Sequence, residues 1–158
     1  MKSSGKIITN SAKETQELAA KFAKQILRRK LGKSAVVLAL RGDLGAGKTT
    51  FLQGFARGLG ITEPVNSPTF LIMKKFPIPS VRQSGRSSIL SDRLFYHIDC
   101  YRLERAEELL HLGFKEIISS PQNIVAVEWP EKISELLPKD ALQIKFNHLT
   151  GNKREIIL

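Results

Sequence analysis

RGDLGAGKTT, residues 41–50, places three glycines in six residues directly before a lysine and two threonines. Residues 42–49 fit the pattern G-x-x-x-x-G-K-[ST], in which glycine dihedrals let successive backbone N–H groups face one concavity. Those groups, with the N-terminus of the helix that follows, hold phosphate oxygens. The lysine of this pattern reaches the β- and γ-phosphates, and the next hydroxyl ligates magnesium. We therefore predict a phosphate-binding loop with Lys48 as its cation and Thr49 as a metal ligand.

The setting of this loop supports the prediction. SAVVLALRG, residues 34–42, is a short apolar run typical of a strand buried on both faces, and residues 48–58 have the pattern of a helix. A strand before the loop and a helix after it are what a P-loop requires. The residues predicted to bind nucleotide are Asp43, Leu44, Gly45, Ala46, Gly47, Lys48, Thr49 and Thr50.

The rest of the chain continues the alternation of helices and strands. Ser11 and Glu14 form a capping box at the start of the first predicted helix. Helices are predicted over 11–31, 104–114 and 131–137, and strands over 69–76, 94–103, 123–129, 142–146 and 154–158. The strands on either side of the loop 77–93 are expected to form an antiparallel hairpin, and the last two strands a second one. No second domain is indicated, so we expect one domain over residues 1–158.

Two carboxylates in apolar strands are candidates for the acidic element that a P-loop site needs to hold magnesium. Glu128 ends the run IVAVE, where ligands sit in open α/β sheets, and Asp99 shares a strand face with His97 by alternation. The alternatives are structural: a salt-bridged Glu128, and an Asp99 paired with Arg102 or a lysine. We interpret His97 as a packed or solvated histidine and Cys100 as a packing residue.

Charge and cysteine content bear on location and partners. The net charge is +10, and residues 1–33 hold nine Lys and Arg against two Glu. This excess indicates either a solvated basic face or contact with RNA or an acidic partner. The single cysteine fits a reducing cytosol. We expect a cytoplasmic protein with no secretory signal and no membrane span, since the longest apolar run is too short to cross a bilayer.

Four blocks in order resemble the TsaE (YjeE) family, the small bacterial P-loop ATPases needed for threonylcarbamoyl modification of adenosine in tRNA. The blocks are GDLGAGKTT (42–50), VNSPTF (65–70), YHIDCYRL (96–103) and VEWPEK (127–132). The resemblance implies an α/β fold, a P-loop NTPase-like three-layer sandwich with a partly mixed sheet. It also implies ATP and Mg²⁺ as cofactors, TsaD and TsaB as protein partners, and tRNA met indirectly through their complex.

The resemblance also implies roles for single residues. Lys48 contacts phosphates, and Thr49 with Glu128 holds magnesium. Asp99 is catalytic and lies near the γ-phosphate, where it orders water or metal. Trp129 packs beside the site. The segment 67–69, Ser-Pro-Thr, is a nucleotide-sensing switch in this reading and a simple turn in the alternative.

The sequence departs from the family at two points and is compatible with three rival functions. The loop 77–93 is longer and more basic than the family leads us to expect, and a C-terminal helix of relatives is not evident before Leu158, so the base-contacting residues stay unassigned. A small-molecule kinase with Arg82, Arg86 and Arg93 as a basic lid is one rival. A nucleotide-gated binding module without hydrolysis is another, and direct tRNA binding by the basic first helix is a third. The preference for ATP over GTP is not fixed.

Overall fold

A seven-stranded sheet forms the centre of the computed structural model, which describes residues 5–67, 70–80 and 92–158. The strands are β1 (Lys6–Thr9), β2 (Val36–Arg41), β3 (Met73–Pro77), β4 (Leu94–Asp99), β5 (Ile124–Glu128), β6 (Leu142–His148) and β7 (Arg154–Ile157). Their order across the sheet is β1-β7-β6-β2-β5-β4-β3. Strands β6, β2, β5 and β4 run parallel, and the pairs toward both edges are antiparallel. The predicted mixed sheet and both predicted hairpins are confirmed.

Helices cover both faces of the sheet. They are α1 (Ala12–Leu27), α2 (Lys48–Gly58), α3 (Glu107–His111), α4 (Phe114–Ser119) and a 3₁₀ helix over Pro130–Leu136. Helices α1 and α2 form one core with the sheet, and α3, α4 and the 3₁₀ helix form a second core on the opposite face. The three-layer α/β architecture is therefore confirmed. No helix among the described residues is long and apolar enough to cross a membrane.

The central strands carry apolar side chains on both faces because both faces are covered. In β2, Leu38 and Leu40 enter the core under α1 and α2, whereas Val37 enters the opposite core. In β5, Ile124 enters the core under α1 and α2, and Val125 enters the opposite core. This is why each strand reads as a continuous apolar run instead of an alternating one.

Close helix packing fixes α2, and with it the phosphate-binding loop, on the sheet. Gly54 and Gly58 face α1, where a Cβ on either would overlap the backbone of Gln16 or Ala20. Below them, the ring of Phe51 meets the ring of Phe146 edge-on, with centroids 5.3 Å apart. Helix α2 is thus packed between α1 and β6, and this packing sets the place of its N-terminus beside the sheet.

The first helix begins where the capping pattern predicts but ends earlier. The Glu14 N–H donates to Ser11 Oγ at 3.1 Å, while the Glu14 carboxylate accepts from the Asn10 N–H at 2.7 Å and not from Ser11. The prediction of helix through residue 31 is wrong, since α1 ends at Leu27. Leu31 is exposed, so the last predicted turn has no apolar face that packing could stabilise.

Other boundaries also differ. The single helix predicted over 104–114 is wrong: Gly113, at φ 80°, separates α3 from α4. Strand β1 was not predicted, and the 131–137 segment is 3₁₀ rather than α-helical. Strand β4 ends at Asp99, where the Tyr101 N–H donates a hydrogen bond to the Asp99 carboxylate and the chain leaves the sheet. The strand predicted over 69–76 is wrong at its start: residue 69 lies outside the described residues, residues 70–72 are not in a strand, and β3 begins at Met73.

Candidate functional site

The loop between β2 and α2 has the geometry of a phosphate cradle. Gly42 has φ 150°, and a Cβ there would lie 2.7 Å from the carbonyl oxygen of Phe146, so only glycine fits. Gly47, at φ 102°, is the N-cap of α2 and makes no side-chain capping bond. The N-cap residue therefore offers no side chain to the N–H groups of the first turn of α2, and a helix N-terminus of this kind favours an anion.

Lys48 is held against the base of this loop. Its Nζ donates to the carbonyl oxygens of Gly42 and Asp43, at 2.5 and 3.0 Å, and lies 4.4 Å from the ring centre of Trp129. The side chain is buried, and burial lowers the pKa of Lys48, while the negative charges of Glu128 and Asp99 oppose that change. The cation predicted for phosphate contact thus lies at the cradle, with Trp129 beside it.

Glu128 is buried at the end of β5 and contacts a histidine that sequence reasoning did not connect with it. The Nε2 of His97 lies 2.8 Å from Glu128 Oε1. The sequence left His97 as either packed or solvated, and the structure has it packed, with no exposed surface. Alternation along β4 places His97 on the correct sheet face, but no sequence signal identifies Glu128 as its partner.

Asp99 lies directly opposite Glu128 in the pairing of β4 with β5. Its Oδ2 accepts from Ser67 Oγ at 2.9 Å, and its Oδ1 accepts from the Tyr101 N–H at 2.9 Å. Among the described residues, no ion pair joins Asp99 to Arg102 or to a lysine. Ser67 therefore connects the segment before β3 to Asp99, whereas the other two residues of the predicted switch, Pro68 and Thr69, lie outside the described residues.

One cavity of about 540 Å³ brings the predicted residues together. Its polar lining includes Lys48, Thr49, Asp99 and Glu128. This volume lies in the range of small-molecule sites. The apolar and aromatic part of the lining includes Leu44, Phe70, Leu71, Tyr101 and Trp129.

Arg154 also lines this cavity, and sequence reasoning missed it. Its side chain lies over Gly47, since a Cβ on Gly47 would be 3.3 Å from the Arg154 Nε. Arg154 also borders a second cavity of about 140 Å³, which is lined by Ala12, Thr15, Gly47, Thr50 and Asn152. The sheet order explains this placement: β7 pairs with β6, and β6 pairs with β2, the strand that leads into the phosphate-binding loop.

The oxygen donors at the loop fit magnesium. The Thr49 hydroxyl and the Glu128 carboxylate line the same cavity, and Mg²⁺ prefers such oxygen ligands. Within residues 5–67, 70–80 and 92–158, no group of three or more His, Cys, Asp and Glu could hold a metal by itself. Mg²⁺ usually takes one or two carboxylates with substrate phosphates and water, so this sparse donor set suits a magnesium–nucleotide complex.

Comparisons with known proteins agree with this geometry. Residues 9–156 match the family described as threonylcarbamoyl adenosine biosynthesis protein TsaE. A TsaE of Bacillus subtilis is 45% identical over 120 residues, which are 76% of this chain and 66%, just under two thirds, of the relative. A TsaE of Rickettsia typhi is 32% identical over 92% of this chain and 88% of its own length. The crystal structure of B. subtilis YdiB aligns with a TM-score of 0.70 at 35% identity, over 97% of this chain and 82% of that chain.

Proposed function

The chain belongs to the TsaE family, and from this premise we propose that it is the ATP-binding and ATP-hydrolysing component of tRNA threonylcarbamoyladenosine biosynthesis. In this role it acts in the cytoplasm, in the machinery that installs threonylcarbamoyl on adenosine 37 of tRNA, together with TsaD and TsaB. The observation that carries the proposal is the convergence of Lys48, Thr49, Asp99 and Glu128 on one cavity beside the loop 42–47.

The loop and Lys48 bind the phosphates in this proposal. The N–H groups of residues 43–50 surround the phosphate oxygens, and the Lys48 ammonium stabilises negative charge on the transferred phosphoryl group. Lys48 already donates to two loop carbonyls, so it reaches the phosphates by a short movement. Thr49 and Glu128, which line the same cavity, would hold magnesium, and the cation would supply positive charge against the phosphate oxygens of the nucleotide.

Asp99 orients the attacking water. Two hydrogen bonds, from Ser67 and from the Tyr101 N–H, fix its carboxylate at the end of β4. A carboxylate held in this way accepts a hydrogen bond from water and so aligns the water oxygen with the γ-phosphorus. The bond to Ser67 also connects Asp99 to the segment 67–69, which supports a role for that segment in sensing the nucleotide.

The second cavity takes the nucleoside. Gly47, Thr50 and Arg154 line both cavities, whereas Asp99 and Glu128 line only the large one. With the γ-phosphate assigned to the cavity that holds the two carboxylates, the adjoining second cavity is the place that we propose for the sugar and base. Asn152 offers an amide to the base edge, and the Arg154 guanidinium offers a planar cation that stacks on aromatic rings.

The partner proteins cover the apolar mouth of the large cavity. Phe70, Leu44 and Leu71 are 92%, 78% and 63% exposed beside the phosphate-binding loop. Such residues around a catalytic cavity are typical of an interaction surface. Covering them excludes water, and this supports weak hydrolysis by the chain alone and faster hydrolysis in complex with TsaD and TsaB. The chain meets tRNA through that complex.

Phosphate release from ATP tests this proposal. We would measure it for the purified chain, alone and with TsaD and TsaB, with wild type, Asp99→Ala and Glu128→Ala. We expect turnover that the partners stimulate and that both substitutions abolish. ATP binding without turnover under every condition would refute the catalytic role of Asp99 and support a nucleotide-gated binding module.

No specific observation favours a small-molecule kinase. Arg82 and Arg86 of the suggested lid lie outside the described residues. Arg93 precedes β4, whereas Asp99 ends it, so the two are on the order of 20 Å apart at the rise of an extended strand. Arg93 is thus at the opposite end of β4 from the cavity, where its Nε donates to the Gln122 carbonyl.

A further inference from the structure

His97 is a buried polar residue whose place in the core is not explained by packing. Its imidazole has no exposed surface, and within the described part of the chain its Nδ1 has no hydrogen-bond partner. A buried polar atom without a partner costs free energy that an apolar ring of similar shape would not. Among the described residues, the one hydrogen bond that the imidazole makes is to Glu128. That bond is therefore what a histidine contributes at this position.

We propose that His97 is a positioning residue for the magnesium site: it donates its Nε2–H to Glu128 Oε1 and keeps the other carboxylate oxygen available to the cation. This inference rests on the proposed function, because it requires Glu128 to serve as a magnesium ligand. It adds a residue to that site which does not itself line the cavity.

The direction of the hydrogen bond follows from the two groups. An ionised carboxylate only accepts hydrogen bonds, so the imidazole nitrogen that contacts it carries the proton. With Nε2 as the donor to Glu128, the remaining ring nitrogen is Nδ1, which has no hydrogen-bond partner among the described residues. The pair has a separation of 2.8 Å, which suits a charge-assisted hydrogen bond.

The strand register gives the pair its geometry. In the parallel pairing of β4 with β5, Asp99 lies opposite Glu128, and His97 lies opposite Ala126. The small side chain of Ala126 leaves room beside the imidazole, so the Glu128 side chain extends back along β5 to reach it. Glu128 Oε1 is hydrogen-bonded to His97 Nε2, and rotation of the carboxylate would break this bond. Such partners of metal ligands fix the orientation of the ligand.

The test measures how much Mg²⁺ strengthens nucleotide binding, not turnover. Dissociation constants for a non-hydrolysable ATP analogue are measured with Mg²⁺ and with a chelator, by the fluorescence of Trp129, the single tryptophan. The effect of Mg²⁺ is the ratio of the dissociation constant in chelator to the dissociation constant in Mg²⁺. For His97→Phe, we expect this ratio to fall about 10- to 100-fold, while the dissociation constant in chelator stays unchanged. His97→Gln, whose amide can donate to Glu128, is expected to retain most of it. If His97→Phe does not fold, His97→Leu takes its place.

Phe95→Leu is the matched control, because Phe95 is equally buried two residues earlier on the same strand face. It disturbs the core without touching Glu128 and should leave the effect of Mg²⁺ at the wild-type value. An unchanged effect in His97→Phe, or an equal loss in His97→Phe and Phe95→Leu, would overturn the positioning role. A wild-type chain that binds the analogue equally with and without Mg²⁺ would overturn the magnesium site itself, and this proposal with it.

Discussion

Arg154 is the residue that separates the two parts of the proposed nucleotide site. Its side chain lies over Gly47 and borders both cavities. We predict that Arg154→Ala weakens ATP binding about 10-fold, as expected when a charged or stacking contact is lost. Affinity for inorganic tripolyphosphate should change little, since that ligand lacks the nucleoside. Both are measured by competition against a fluorescent nucleotide.

Lys153→Ala is the control for Arg154→Ala, because Lys153 is the exposed residue directly before Arg154, which begins β7. An equal loss of affinity for ATP and for tripolyphosphate would contradict the nucleoside assignment. It would place Arg154 among the phosphate contacts instead.

The reactivity of the Cys100 thiol reports whether the core next to Asp99 stays closed. The side chain is fully buried, and burial together with the Asp99 charge raises the pKa of the thiol to about 12. At pH 8 the thiolate fraction is then on the order of 1 in 10,000. We predict that iodoacetamide leaves the native chain unmodified over hours and alkylates it quickly in urea, as followed by intact mass. Rapid alkylation of the native chain would show that this core opens.

Motifs predicted the polar residues of the site but not their contacts. Lys48 and Thr49 follow from the loop pattern, and Asp99 and Glu128 from their strand positions; the structure brings these four into one cavity. Their catalytic and metal-binding roles stay predictions. The contact between His97 and Glu128 could not be predicted, because alternation gives the face of a strand and not the neighbour across it.

At the scale of elements, the contact between α1 and α2 determines where the phosphate-binding loop lies. A change of glycine to alanine inside a helix ordinarily stabilises the helix by about 1 kcal/mol. At Gly54 the added Cβ would overlap the Gln16 backbone, so the helices must separate. We predict that Gly54→Ala lowers the free energy of unfolding by about 1–3 kcal/mol, as measured by urea denaturation.

Arg57→Ala provides the comparison for Gly54→Ala, because Arg57 lies on the same helix and is exposed. Its effect should stay within about 0.5 kcal/mol. A Gly54→Ala protein that is more stable than wild type would show that the two helices are not in close contact at this position.

Elements with strong local signals were predicted well, and those set by distant contacts were not. Helix α2 has the predicted bounds, because the phosphate-binding loop marks its start and glycines mark its end. Strand β1 has four residues and exists through pairing with β7 at the other end of the chain. The division between α3 and α4 depends on the left-handed conformation of Gly113, which composition does not specify because glycine is also tolerated inside helices.

At the scale of the whole molecule, sequence periodicity predicted the fold class but not the strand order. The two predicted hairpins account for two of the three antiparallel pairs, β3 with β4 and β6 with β7, since consecutive strands are usually neighbours. The third pair, β1 with β7, was not predicted. The central order β6-β2-β5-β4 depends on which crossovers pack together, and no local pattern contains that information. We propose that residues 1–158 act as one domain, because the two cores lie on opposite faces of one sheet.

The basic residues near the end of α1 lead to a prediction about the affinity of the isolated chain for tRNA. The exposed basic residues near the end of α1 include Lys24, Arg28, Arg29 and Lys30. If this is a solvated face and tRNA is met through the complex, the isolated chain should bind tRNA no more tightly than the nonspecific range of about 10⁻⁴–10⁻⁶ M at physiological salt. Arg28→Glu with Arg29→Glu should then leave partner-stimulated ATP hydrolysis unchanged. Nanomolar tRNA binding that the double substitution removes would instead support direct recognition by α1.

The central claim is that the cavity beside the loop 42–47 binds ATP through its phosphates, and calorimetric titration tests it most directly. Wild type and Lys48→Ala are titrated with ATP in the presence of Mg²⁺, after circular dichroism shows that both are folded. We predict one ATP per chain for wild type and an affinity about 10- to 100-fold weaker for Lys48→Ala, since hydrogen bonds to charged groups contribute about 1.5–3 kcal/mol. Equal binding by the two proteins, or no binding by wild type, would contradict the claim.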